Sequence, residues 1–208
     1  MVSTEEMFEV LLDYFGPQAW WPGDGKFEMM VGAILTQNVS WKNVEKAIQN
    51  LKEAQVLEPE VLSEMDDHRL EALVRPAGFY RQKSARLKEL SRIILQYGGV
   101  KSFLNLPDLR DTLLDVKGIG PETADSIALY GAEIPTFVVD AYTKRTVGRV
   151  WGIEGDYDTI KKFFENDLPR DVELYNEFHA LVVKLGKEHC KKTNPDCPGC
   201  PISHLCSY

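Results

Sequence analysis

Three groups of residues have the types and spacing to do chemistry. In VKGIGPETA, residues 116–124, Gly118 and Gly120 flank the single apolar Ile119. In VVDAYTKR, residues 138–145, Asp140 stands where a β-branched run gives way to a helical pattern carrying Lys144 and Arg145. Cys190, Cys197, Cys200 and Cys206 are the four cysteines of the chain, spaced C-x6-C-x2-C-x5-C at its end. Each has a plain structural reading as well. A GxG is often an ordinary helix turn, and an aspartate at a helix start is most often an N-cap.

The chemical readings are sharper. Glycine opens backbone angles closed to other residues and lets a ligand approach bare N–H groups. The amides of this loop fall at the N-terminus of a helix opened by Pro121, where the dipole favours an anion. Ile119 would plug into the core and lock the flanking helices. That is the logic of a helix-hairpin-helix, which grips a phosphate without basic side chains. A carboxylate beside a nucleotide held that way can stabilise an oxocarbenium-like sugar, or orient or deprotonate an attacking water. Four thiolates suit a structural zinc or an iron–sulfur cluster, and the spacing leaves both open.

The aromatic residues form a fourth group. AWWP at 19–22 and NVSW at 38–41 supply Trp20, Trp21 and Trp41, three of the four tryptophans. Tryptophans at loop-to-helix junctions commonly pack as core or lid. They can also stack on a base turned out of a duplex, and their faces favour a positively charged, alkylated purine.

The elements that must position these residues read as helices almost throughout. Met7, Val10, Leu11 and Tyr14 make a helical stripe. The stretch 18–26 is a loop, and 27–37, apolar all round, predicts a buried central helix. Ser40 is placed to cap the next helix, and RPAGFYRQ breaks the pattern before a helix ending at Gly98 and Gly99. Pro107 and Asp108 suit a helix start ahead of the glycine loop, and a further helix follows it to Gly131. EIPTFVV is too isolated for a sheet and reads as an extended connector. The expectation is an all-α protein of about ten helices with a loop-rich C-terminal tail.

Composition sets the limits. With 208 residues, 44% hydrophobic and 27% charged, the chain can bury a real core. The net charge of −8 lowers the expectation of a nucleic-acid partner without removing it. Cations gather locally at Arg81, Lys83, Arg86, Lys88 and Arg92, and again at Lys144, Arg145 and Arg149. Lys191, Lys192 and His204 lie in or near the cysteine loops, where solvated charge is the ordinary account and phosphate contact the functional one. No signal peptide or membrane span is read, so a cytoplasmic protein is expected, and its cysteines favour a metal or cluster over disulfides.

VKGIGPETA, VVDAYTKR, FEMMVGAILTQN, VRPAGFYRQKSARL and the terminal cysteines together resemble the helix-hairpin-helix (HhH-GPD) DNA glycosylase superfamily, of the endonuclease III type, over nearly the whole chain. The resemblance implies two helical subdomains flanking a DNA-binding cleft. Residues 25–130, with the hairpin at 113–131, would form one, and 1–24 plus 131–189 the other. It implies that Asp140 is catalytic and that the segment 190–206 holds a [4Fe–4S] cluster on its four cysteines. The partner would be double-stranded DNA with a damaged base, bound by a monomer through Lys117, Gly118, Ile119, Gly120 and Lys144.

One departure decides the chemistry. Glu122 stands where the strand-cleaving members carry a lysine that attacks the sugar, and a carboxylate cannot form that imine. A monofunctional, water-using glycosylase is therefore expected. Trp-Trp-Pro, LTQN, the aromatic three residues after that asparagine, and Glu122 resemble a narrower group, the 3-methyladenine DNA glycosylase III type. By that likeness Trp20, Trp21, Pro22 and Trp41 line the base pocket near Glu122, while Gln37 and Asn38 match the loop that fills the gap left by the flipped base. The best-known members of that group lack the terminal cysteines, so substrate preference is the weaker implication. The competing readings are a lyase acting on oxidised pyrimidines, a mismatch glycosylase, a non-catalytic DNA-binding module and an electron-transfer protein.

Overall fold

The computed structural model describes residues 2–21 and 23–208, and the chain divides into two units. One comprises the N-terminal segment to Trp20 together with Glu133–Tyr208; the other is Trp21–Ala132. The described residues are helical or irregular, with no strand.

The unit built from both ends of the chain holds α1 (Thr4–Phe15), and a later set numbered below. Ser3 caps α1 by accepting from the Glu6 amide, as its hydroxyl chemistry favours. The continuous unit follows with α2 (Lys26–Leu35), α3 (Trp41–Glu53), α4 (Pro59–Glu64), α5 (Asp67–Val74), α6 (Tyr80–Gln96), α7 (Val100–Leu104), α8 (Leu109–Leu114) and α9 (Pro121–Ser126). The N-terminal unit is completed by α10 (Ala141–Trp151), α11 (Tyr157–Asp167) and α12 (Val172–Glu188).

In the continuous unit α2 has no polar face to turn to water, and every residue from Phe27 to Leu35 is buried. Helix α3 starts after Ser40 as expected, but the Ser40 side chain makes no capping bond. The helix predicted over 121–131 changes register at Ile127, where a π turn, Ile127–Gly131, takes over. Such turns insert one residue into a helix and re-aim the side chains beyond it.

Lys83 corrects the sequence reading most sharply. Grouped by sequence with the surface cations of 81–92, it is in fact 1% exposed. Its Nζ donates to Leu35 O at 2.8 Å and Ala77 O at 2.7 Å, tying the end of α2 to the turn before α6. An ammonium there satisfies two carbonyls that no helix partner reaches.

In the N-terminal unit α12 is the buried element, with Tyr175, Phe178 and His179 inside. Phe137 stacks on Phe164 at 4.0 Å between ring centres, and Tyr175 and Phe178 meet Phe137 edge-on. Phe137 belongs to the expected extended connector, whose backbone is satisfied by a side chain: Phe137 N donates to Glu165 Oε1 at 2.9 Å. The fourth tryptophan, Trp151, donates to Val2 O at 2.7 Å and packs edge-on against Phe163. No described helix is long and apolar enough to cross a membrane.

Burial, with Arg86 nearby, pushes the Lys83 ammonium down to about 8. Because its folded value lies below the unfolded one, folding at neutral pH carries the cost of a buried charge, and that cost is relieved as pH rises from about 8 towards 10.4. The stability difference between wild type and Lys83→Met should therefore move in favour of wild type over that window, by on the order of 3 kcal/mol, in urea titrations at stepped pH. A pH-independent difference would show that the ammonium is not desolvated.

Candidate active site

The hairpin is built on an ion pair whose carboxylate is buried and whose guanidinium is partly exposed. Asp125 in α9 is fully buried and receives Arg110 of α8 through two bonds, Nε to Oδ1 at 2.7 Å and Nη2 to Oδ2 at 3.3 Å. Ile119, 4% exposed, plugs the turn between those helices, and its amide returns to Val116 O. Gly118 has φ +89°, a left-handed angle, and a Cβ added there would lie 2.1 Å from Arg86 Nε. The left-handed conformation therefore favours glycine, and a larger residue would also have to displace the Arg86 side chain. Gly120 is different: its φ is −96° and an added Cβ would meet nothing within 4 Å. Nothing within the protein demands glycine at that position, whereas a ligand lying close to the backbone would.

Gln37 is half-buried and bonds this loop. Its Nε2 donates to Gly118 O at 3.2 Å and Thr123 Oγ1 at 3.0 Å, and its Oε1 accepts from Arg86 Nη1. Asn38 beside it is exposed and left-handed, with φ 55°. Lys117 is exposed at the edge of a groove of about 910 Å³, which Arg86, Lys88, Arg92 and Gly118 also line. Asp67, Glu89 and Asp115 share that groove, so its surface is of mixed sign. Glu122 lies exposed in the first turn of α9, and its carbonyl accepts from Ser126 Oγ at 2.7 Å.

The aromatic residues divide between the units. Trp21 packs edge-on against Trp41, 5.1 Å between ring centres, and lies 5.4 Å from Tyr130. It sits on the bare backbone of α2 at Gly32, where a Cβ would meet its Cζ2 at 3.1 Å. Tyr130, in the π turn, is an aromatic that the sequence reading missed. Trp20 belongs to the other unit, with Lys187 Nζ 5.6 Å from its ring centre. Pro22 lies outside the described residues. Phe79 was also missed: 63% exposed, it precedes α6 at φ 44°, an unusual angle for a bulky side chain.

Asp140 caps α10, its Oδ1 accepting from Thr143 N at 2.7 Å and Thr143 Oγ1 at 3.0 Å. The other oxygen, Oδ2, lies 3.6 Å from Nε2 of His179, a buried residue of α12 that the sequence reading did not single out. Burial alone would raise the carboxyl; His179 and then the Thr143 amide and hydroxyl outweigh it and hold the group below its ordinary value. The carboxylate is thus kept ionised in a dry setting. Lys144 is exposed one turn on.

All four cysteines are free thiols and line one small cavity with Arg149, His189 and Ile202. Burial pushes the Cys200 thiol up, and the other three thiols add to it, as expected of sulfurs sharing one site. Among the described residues no group of three or more His, Cys, Asp or Glu converges as a ready metal site. The donor set itself, four soft thiols around one cavity, fits zinc or an iron–sulfur cluster.

A glycine hairpin held from behind and a capped, ionised aspartate stand in an all-α chain, and comparison with known proteins makes its family plain. Residues 31–170 match the family model of the HhH-GPD superfamily base excision DNA repair proteins, and the chain belongs to that family of DNA glycosylases. A Methanocaldococcus jannaschii protein, MJ1434, whose name assigns it to the DNA repair glycosylases, is 46% identical over 97% of this chain and 94% of its own. The crystal structure of Helicobacter pylori 3-methyladenine DNA glycosylase, MagIII, bound to 1,N6-ethenoadenine superposes with a TM-score of 0.82 at 33% identity. That match covers 89% of this chain and 98% of MagIII. A trapped endonuclease III–DNA covalent intermediate shares the fold, with a TM-score of 0.85 at 23% identity over 99% of this chain and 96% of that one.

Gly118→Ala should cost about 1–3 kcal/mol of stability, whereas Gly120→Ala should change stability by less than about 0.5 kcal/mol yet weaken duplex binding. Thermal unfolding and fluorescence anisotropy separate the two; equal binding losses without a stability difference would contradict the assignment. For Asp140, asparagine preserves the cap, so Asp140→Asn should fold normally while base release falls by about 100-fold or more. His179→Ala removes the largest influence that lowers the carboxyl and leaves burial and the Thr143 bonds, so the acid limb of the rate profile should move to higher pH.

Proposed function

We propose that this chain is a monofunctional DNA N-glycosylase that removes an alkylated purine such as 3-methyladenine from double-stranded DNA and leaves an abasic site. The observation that carries the reading is Glu122: the helix-start position where a strand-cleaving relative would place an amine holds a carboxylate. The 33% identity to MagIII, a 3-methyladenine DNA glycosylase, supports the substrate class.

The backbone amides around Gly118 and Gly120 hold a phosphate, with Ile119 as the plug behind them and Lys117 and Lys144 adding charge at the surface. Gln37 stiffens this loop, and Asn38 and the exposed Phe79 meet the bases around the lesion, where an apolar wedge eases unstacking. The extrahelical base stacks on Trp21 and Trp41, with Glu122 facing it; an alkylated purine carries positive charge, which both stacking and a carboxylate favour. As the C1′–N bond breaks, the electron pair leaves with the base, which departs neutral. Asp140 stabilises the positive sugar and orients the water that adds to C1′, and the water's proton passes to solvent.

The four cysteines are read as ligands of a [4Fe–4S] cluster, which when bound would fix the C-terminal segment and supply a one-electron centre. The protein is taken to act as a cytoplasmic monomer.

Duplexes carrying 3-methyladenine, 7-methylguanine, hypoxanthine, thymine glycol or mismatches test the reading. Release of the methylated purines, with strand breaks appearing only after alkali and no adduct on borohydride treatment, is expected. A strong borohydride adduct that disappears in Lys144→Ala would overturn the monofunctional assignment, and preferred release of thymine glycol would overturn the substrate class.

A further inference from the structure

Arg149 of α10 is in contact with both ends of the cysteine segment. Its Nη1 lies 3.2 Å from Cys190 Sγ and donates to Lys191 O at 2.8 Å, while Nη2 reaches Lys192 O at 3.4 Å. The guanidinium lies over the Tyr208 ring, 4.5 Å from its centre. The residue's own carbonyl accepts from Ser207 Oγ at 3.0 Å and from Cys206 Sγ at 3.6 Å. One residue thus meets the first cysteine through its side chain and, through its backbone carbonyl, Ser207 beside the last; the Ser207 bond persists when Cys206 is a thiolate. Arg145, a turn earlier, approaches the same segment differently: it bonds the carbonyls of Cys190 at 2.7 Å and Gly186 at 3.2 Å and reaches no described sulfur. Anchoring alone would need only contacts of that second kind.

We infer that Arg149 is a positioning residue for the cluster, clamping both ends of its loop and setting its reduction potential through a cationic N–H···S bond to Cys190. The inference rests on the cluster reading above. A charge-assisted donor draws electron density from a thiolate and so favours the more negative, reduced form of the centre it ligates. The stack on Tyr208 holds the guanidinium plane in place, which a flexible ammonium cannot copy.

The test uses the full-length protein with Arg149→Gln, Arg149→Lys and Tyr208→Leu, all purified anaerobically. Iron and sulfide content, midpoint potential by protein-film voltammetry and the rate of chelator bleaching are measured, none of which needs a DNA substrate. Arg149→Gln should shift the midpoint to more negative potential and bleach about 10-fold faster, with Arg149→Lys between it and wild type. If the glutamine variant cannot hold iron, the clamp is supported, and the lysine and Tyr208→Leu proteins carry the potential measurement. Full iron with an unchanged midpoint in every variant overturns the inference. Wild type carrying zinc and no sulfide overturns the cluster reading itself, a result distinguishable because it appears before any variant is compared.

Discussion

The loop between α8 and α9 returns its Ile119 amide to Val116 O, and the rest of its hold must come from outside it. In this chain the fixing falls to Asp125 and Arg110, a fully buried carboxylate gripped through two bonds from the neighbouring helix. Breaking such a pair by removing one partner costs about 3–5 kcal/mol, although an apolar replacement of both can cost little. Its value is therefore directional: two helices are set at one angle, with the turn between them presented outward. Ile119 from below, and Gln37 and Arg86 from the side, complete a support that leaves Gly120 bare.

An acidic chain in a DNA-repair family is compatible with that arrangement. Backbone N–H groups and a helix dipole contribute nothing to a count of formal charges, yet they supply positive potential where a phosphate would sit. The cations that do line the groove beside Gly118 are accompanied by Asp67, Glu89 and Asp115, so the local sum is modest. Whole-chain charge describes the surface in bulk and says little about a site assembled from amides.

Much of the architecture was legible from single residues. An all-round apolar run could only be buried, and α2 is; an aspartate before a helical pattern could serve as a cap, and Asp140 does. What escaped depended on contacts far apart in sequence. Lys83 looks like its basic neighbours, and only the carbonyls of Leu35 and Ala77 reveal that it points inward. His179 sits in an apolar helix with nothing local to connect it to Asp140. Trp20 and Trp21 are adjacent in the chain but belong to different units, a division no local pattern encodes. Tyr130 is aimed by a π turn, and a regular helical period assigns it another direction.

The N-terminal unit is discontinuous: α1 is secured to α11 through Thr4, whose amide and hydroxyl both bond Asp167 Oδ2, at 3.2 and 2.6 Å. On the ribosome this imposes an order of events. The first helix emerges with no partner and must wait, its apolar stripe uncovered, until the final third of the chain is made. The segment carrying the hairpin is complete well before then. A nascent chain would therefore complete its glycine hairpin before Asp140 has a folded setting, which arrives only when the two ends meet.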